Sequence, residues 1–320
     1  MFKVIDLPPE GKPEENFDEN KVRPPPSGTV RWIDVVDHDA AALEVLRQRF
    51  DFHPLAIEDC ATFELRSKIE EYGEYLFAVV HSFTADPDDP GEIQIHEVHA
   101  FLSSDYLVTV HDNPVPAAEG VWRRATTDES ILRRGPCWAL YMTIDCMVDA
   151  IFPQLAQIHD KLDDIEEEIL RGETDYDLIS VFDLKRSLAN MRRVVRPVRD
   201  VVGMLARRHD ERVSELTAVY FRDVYDHIQR CAESIEEARD LAANVMDAYQ
   251  TSISNRTNDI VKALTIFSAI FLPLGFMTGF WGQNFVDLPF KSTGFFVAVM
   301  ASMVLLPVGL IVWMAKRHWL

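Results

Sequence analysis

The chain has 320 residues, with 52 acidic against 32 basic side chains and a net charge of -20. That length leaves room for two soluble units before a membrane part, and the acidic balance argues against nucleic acid, whose phosphates need Lys and Arg. It suits a cationic partner, or simply a solvated acidic surface.

Residues 1–28 are rich in proline and acid and are expected to form a tail or loose edge, not a core element. Met1–Asn16 lacks an apolar core, so no signal peptide is expected. From Thr29 the pattern turns mixed. Val30, Trp32 and Ile33 begin a strand. Ala40–Phe50 reads as a helix with Leu43, Val45, Leu46 and Phe50 apolar. Tyr75–Phe83, Ile93–Leu102 and Tyr106–His111 read as strands by their β-branched and aromatic content, with Asp86–Gly91 as a turn between the first two. Residues 29–135 are therefore expected to form an α/β domain.

After Pro116 the strand signals stop. Residues 136–262 are expected to form a helical hairpin and a long stalk. Within Leu140–Leu170, Leu155, Ile158, Leu162, Ile165 and Ile169 recur at three- and four-residue steps, a coiled-coil-like seam. The opposite face is acidic. A second helix over 176–207 is basic, and the pair suggests an antiparallel hairpin laced by ion pairs, each worth at most about 1 kcal/mol when exposed. From Arg212 to Ala269 there is neither proline nor glycine. Val224, Ile228, Cys231, Ile235, Ala238, Ala242, Val245 and Tyr249 keep the same spacing, and the pattern predicts one helix over 212–280, about 100 Å long at 1.5 Å per residue.

Ala263–Trp281 and Gly294–Met314 carry no charge, and each is about as long as a helix needs to cross a hydrocarbon core of ~30 Å. They predict a membrane hairpin embedded in lipid, with a 282–293 loop and a basic tail over 315–320. The rival expectation is a buried soluble hairpin. Arg256 and Lys262 precede the first span, and Lys316, Arg317 and His318 follow the second. Positive flanks stay inside, so both termini are expected to be cytoplasmic. Cys60, Cys137, Cys146 and Cys231 form no Cys-x-x-Cys pair, which argues against a disulfide framework or thiolate zinc site. The histidines show no transition-metal spacing and are assigned no ligand role. The expected fold class is an α+β cytoplasmic domain, a long helical stalk and two C-terminal transmembrane helices.

Thr257–Phe285 resembles the CorA divalent-cation transporters, whose signature at the end of the first span is Tyr-Gly-Met-Asn-Phe. His53–Cys60, Tyr220–Ile228 and the basic tail Lys316–Leu320 have counterparts in the same order, so the resemblance covers about residues 30–320. One departure falls at the pore mouth. Gly-Met-Asn appears here as Gly282-Gln283-Asn284, after Trp281 in place of Tyr.

Two spans cannot enclose a pore, so a transporter of this size must be an oligomer. The resemblance implies a homopentamer, with the first span lining the pore and Gly282, Gln283 and Asn284 as the selectivity loop. Counting back in heptad steps puts Gly279, Gly275, Leu272, Ser268, Thr265, Val261 and Asn258 on one stripe. That stripe is the expected pore face, and Leu272 the expected constriction that gates by dewetting. Small residues at this spacing also suit plain helix packing. An amide ring suits a cation that keeps its water, as Mg2+ does, although Gly-x-Asn after a helix is also an ordinary C-cap.

The resemblance further implies regulatory Mg2+ bound between neighbouring cytoplasmic domains by Glu58, Asp59 and Asp223, with Asp145 as a second such ligand by spacing. Their alternatives are local: Asp59 caps a helix, and Asp223 pairs with Arg222 or His227. The implied function is Mg2+ transport across the bacterial inner membrane, with Co2+ or Ni2+ as further cargo, and no catalysed reaction. A zinc transporter like ZntB is the alternative within the family. A membrane-anchored metal sensor or scaffold is the alternative of another class.

Overall fold

The computed structural model describes residues 2–36, 39–63, 65–85, 93–171, 178–283, 289 and 291–317. It comprises two compact units, residues 1–246 and 247–320. The turn expected at Asp86–Gly91 lies outside the described residues.

The first unit is built on a seven-stranded sheet ordered β2-β1-β3-β7-β6-β5-β4. Its strands are β1 (Phe2–Leu7), β2 (Glu14–Asn16), β3 (Val30–Val36), β4 (Lys68–Tyr72), β5 (Tyr75–Ala85), β6 (Ile93–Leu102) and β7 (Tyr106–His111). Neighbours run antiparallel except β3 and β7, which pair in parallel from Arg31 opposite Tyr106 to Val36 opposite His111. Two helices, α1 (Ala40–Phe50) and α2 (Pro54–Thr62), pack on one face around Ile33, Phe77 and Phe101. The other face, presenting Trp32, Leu76 and Leu102, carries α3 (Pro116–Ala125), α4 (Glu129–Arg133), α5 (Pro136–Asp149), α6 (Ile151–Arg171), α7 (Leu178–Ala206) and the start of α8 (Glu215–Trp281). Alternate residues along each strand thus feed different cores, as the two-residue period of a strand requires.

The tail expected over 1–28 is corrected. Phe2–Leu7 forms β1, paired with β3 from Phe2 opposite Val35 to Leu7 opposite Val30, and Val4 and Ile5 are fully buried. The prolines that follow dominate the composition of the segment, but a strand buried on both faces needs only a short apolar run. Asp6 is held by Arg31, with Nε at 2.5 Å and Nη2 at 2.9 Å.

The single helix expected over 140–170 is two helices, broken at Ala150. Pro153 explains the break. It lacks an N–H, and its ring would strike the carbonyl four residues back, at Asp149, so it is tolerated only in a first turn. The lacing of α6 to α7 is also corrected. Among the described residues no ion pair joins them. Arg192 and Arg196 of α7 reach Glu236 of α8 instead, at 2.6 and 3.2 Å, while Arg171 pairs with Glu167 on its own helix. The acidic face of α6 is left to solvent.

Helix α8 spans 67 residues. Ser214 opens it, its hydroxyl accepting from the Thr217 N–H at 3.2 Å. In the first unit Val224, Ile228, Cys231, Ile235, Ala238, Ala242 and Val245 are all buried at 1% exposure or less, on the seam expected of them. The second unit holds the rest of α8 and α9 (Thr293–Lys316). No residue of their most apolar windows is buried; Leu272, Phe276 and Leu305 stand at 71%, 73% and 68% exposure. A buried soluble hairpin is therefore not what this chain forms by itself. Pro273 and Pro307 sit inside these helices, a placement that membrane helices tolerate.

Candidate ion path and metal-binding carboxylates

The stripe counted back from the loop lies on α8 in the second unit. Asn258, Val261, Thr265, Leu272, Gly275 and Gly279 are exposed, and Ser268 is half-buried. Ser268, Leu272 and Gly275 line one open groove together with Phe271 and Phe276. A Cβ added at Gly275 or Gly279 would meet nothing within 4 Å, so this close-approach surface is unused by the chain itself. Thr265 donates its hydroxyl proton to the Val261 carbonyl at 2.7 Å. An unmet hydroxyl is costly in hydrocarbon, and the bond leaves the oxygen's lone pairs free to accept.

The helix ends at the loop through backbone contacts. The Gly282 N–H donates to Thr278 O at 2.9 Å, and the Gln283 N–H to Phe280 O at 3.3 Å. A Cβ at Gly282 would sit 2.9 Å from Thr278 O, closer than real Cβ atoms come to backbone. Glycine is therefore dictated here by the fold, whatever its part in selectivity. Asn284 lies outside the described residues.

The carboxylates on the helical side converge in part. Asp145 and Asp149 lie four residues apart on α5, and Asp223 and His227 four apart on α8, so each pair shares one helix face. The ligand atoms of Asp145, Asp149 and His227 all lie within 4.8 Å of one another. His227 bridges the set, with Nδ1 3.4 Å from Asp149 Oδ1 and Nε2 3.7 Å from Asp223 Oδ2. Its Nδ1 is buried as an atom yet makes no hydrogen bond. Burial, and next the neighbouring charge of Asp149, raise the Asp145 carboxyl above its ordinary range. Asp145, Asp149 and His227 together offer oxygen and nitrogen donors that could hold a divalent cation, while Asp223 stands on the other side of the imidazole ring.

Asp149 and His227 were not among the residues singled out by sequence. The signal was present as two four-residue spacings on separate helices, but only the packing of α5 against α8 shows that they face each other. His227, assigned no ligand role from the sequence, stands within reach of Asp145 and Asp149.

Glu58 and Asp59 do not join this cluster. They sit on α2, whose Ala56 and Cys60 pack on the opposite face of the sheet from α5 and α8. Asp59 is 2.6 Å from Lys68 Nζ; Lys68, despite the opposing effect of burial, is raised by its bonds to Asp59 and Glu70. Glu58 is exposed, with no ion pair among the described residues. Within one chain Asp59 and Asp223 are separated by the sheet, so any ion they share needs two chains.

Two exposed apolar helices, each long enough to span a bilayer, follow a soluble body that gathers carboxylates around an imidazole. These features fit a membrane protein that handles cations. The CorA-like Mg2+ transporter protein family matches residues 27–317, and the chain belongs to that family. It is a divalent-cation transporter rather than an enzyme. The cobalt/magnesium transport protein CorA of Thermotoga maritima is 32% identical over 92% of this chain and 84% of its own length. The complete structure of the CorA magnesium transporter from Methanocaldococcus jannaschii superposes with a TM-score of 0.85, covering 99% of this chain and 98% of that one at 18% identity. That likeness bears out the expected fold class. The zinc transport protein ZntB of Yersinia enterocolitica is 20% identical over 80% of this chain and 77% of its own length.

Proposed function

We propose that the chain assembles as a homopentameric channel in the bacterial inner membrane and carries Mg2+ inward, with Co2+ and Ni2+ as further cargo. The observation that carries this reading is the 32% identity, over nearly the whole chain, to a relative named for cobalt and magnesium transport. The basic flanks at Arg256, Lys262, Lys316 and Arg317 support cytoplasmic termini. Residues 263–281 and 294–314 are the transmembrane segments of this scheme, and 282–293 is the outer loop. The stripe from Asn258 to Gly279 lines the pore, closed by a Leu272 ring, and Gly282, Gln283 and Asn284 form the mouth. A ring of amides there holds a hydrated ion without stripping its water.

Regulation in this scheme comes from cytoplasmic Mg2+. The cluster of Asp145, Asp149 and His227, with Asp223 beside it, supports such a site, because a cation would offset the burial and the Asp149 charge that raise Asp145. Asp59 and Glu58 act only across a subunit boundary. A bound ion closes the channel by as much as its affinity for the closed state exceeds that for the open one.

Zinc is the second reading. His227 favours it, since imidazole suits Zn2+, Co2+ and Ni2+ better than Mg2+. The deciding experiment is ion flux into liposomes holding the purified protein, comparing Mg2+, Co2+, Ni2+ and Zn2+ with and without a pH gradient. Flux of Mg2+ that is independent of the gradient supports the channel. Flux of Zn2+ alone, driven by the gradient, replaces it with the zinc reading, and no flux of any ion leaves a membrane-anchored sensor.

A further inference from the structure

A cleft of about 950 Å3 opens in the first unit between α7 and the β5–β6 part of the sheet. It belongs neither to the ion path nor to the carboxylate cluster. Its lining runs against the charge of the chain. Arg192, Arg193 and Arg196 project from one stretch of α7, and Arg66 comes from the segment before β4, beside Ser67 and His81. The chain as a whole is at -20, yet few carboxylates answer these four guanidinium groups.

Glu236 is shared by three arginines. It lies 2.6 Å from Arg192 Nε, 3.2 Å from Arg196 and 2.5 Å from Arg239. Arg192 Nε, buried as an atom, is close to that carboxylate but not aligned for a hydrogen bond. Among the described residues, no carboxylate lies within ion-pairing distance of Arg66 or Arg193. The cleft does hold two acids. Glu97 is occupied internally, accepting from the Leu65 N–H at 3.1 Å and bonded to His99 at 2.7 Å. Asp112 contributes one charge. The remaining lining is mostly apolar, from Phe63, Leu65, Ile95 and Val194, with His96 and Asn113 among them.

We infer that this cleft binds a nucleoside polyphosphate. Guanidinium forks match phosphate oxygens two at a time, and the cleft presents Arg192, Arg193 and Arg196 from α7 and Arg66 from the segment before β4. The apolar wall takes the base. The volume falls at the upper end of ordinary small-molecule sites, roughly 300–1,000 Å3. The ligand competes with Glu236 for Arg192 and Arg196. Since Glu236 lies on α8 and the arginines on α7, binding exchanges an α7–α8 tie for a ligand contact.

The test is isothermal titration of the full-length protein in detergent with ATP, inorganic tripolyphosphate, inorganic phosphate and adenosine. Free Mg2+ is buffered at one value throughout, because ATP chelates divalent cations. ATP binding is expected to be saturable and tighter than binding of tripolyphosphate, with none for adenosine. Arg66→Ala/Arg193→Ala, both exposed positions, is expected to weaken ATP at least tenfold while thermal unfolding stays unchanged. Glu236→Gln is expected to tighten it by freeing the guanidinium groups. Asp145→Asn, which alters only the carboxylate cluster, leaves the affinity unchanged, so failure of the metal-regulation reading does not carry over to this one. Absence of saturable binding, equal affinity in the double variant, or tripolyphosphate binding as tightly as ATP overturns the assignment.

Discussion

One helix, α8, shows two fates of the same periodicity. From Val224 to Val245 its apolar stripe is buried to 1% exposure or less within the chain. From Asn258 to Gly279 a stripe of the same spacing is left uncovered, with Leu272 at 71%. The first half has found its partners among α5, α6 and α7. The second has found none, and an exposed surface of that extent marks an interaction site. Residue type tells the halves apart. The buried seam uses Val, Ile and Ala, which fill a core. The exposed one mixes Gly, Ser, Thr and Asn with Val261 and Leu272, and small residues let helices approach closely.

The comparison breaks first under truncation. Ile228→Ala removes a fully buried side chain and is expected to cost about 2–5 kcal/mol, visible as a lower midpoint in thermal unfolding of the purified protein. Leu272→Ala removes a similar volume from an uncovered site and is expected to leave that midpoint nearly unchanged. Equal losses at both positions would show that Leu272 packs as a core residue.

Function should reverse the ranking. Leu272→Ser is expected to wet the constriction and raise leak flux while the oligomer still assembles. A variant that neither assembles nor conducts would make Leu272 a packing residue. Asn284→Ala is expected to abolish flux with assembly intact, measured by ion uptake into liposomes and by size-exclusion chromatography. Normal Mg2+ uptake in that variant would remove Asn284 from the mouth of the pore.

Much of this arrangement was legible in the sequence because each feature had its own uninterrupted signal. Charge-free spans near ~20 residues announce membrane helices, and α1, β6 and β7 begin and end where their apolar runs do. The losses have specific causes. Strand β1 was hidden by the prolines around it, although Val4 and Ile5 supply its core contacts. The break at Ala150 depended on Pro153, three residues on. The partners of Arg192 and Arg196 could not be read from net helix charge, because Glu236 comes from a third helix. Asp149 and His227 are far apart in the chain, and only the packing of α5 on α8 brings them together. The pore mouth was named through family resemblance, since Gly-x-Asn alone is as good a helix cap as a filter.

The smallest expected effect sharpens the comparison within the soluble half. Burial and then the charge of Asp149 raise Asp145 above its ordinary carboxyl range. A raised carboxyl binds its proton more tightly in the folded than in the unfolded state. Its contribution to stability is therefore fully present below the unfolded carboxyl range and is lost as pH rises through the folded value. Without divalent cation, the thermal midpoint should fall across this window by more in wild type than in Asp145→Asn. Adding Mg2+ or Zn2+ at neutral pH should restore the midpoint in wild type, because the cation replaces the proton in relieving the repulsion. The same addition should do less in Asp145→Asn and in His227→Ala. Zn2+ should lose more than Mg2+ on removal of His227, since imidazole matters more to the softer ion. If both variants respond to both ions as wild type does, the cluster on α5 and α8 is a solvated acidic face and the ion that stabilises the protein is bound elsewhere.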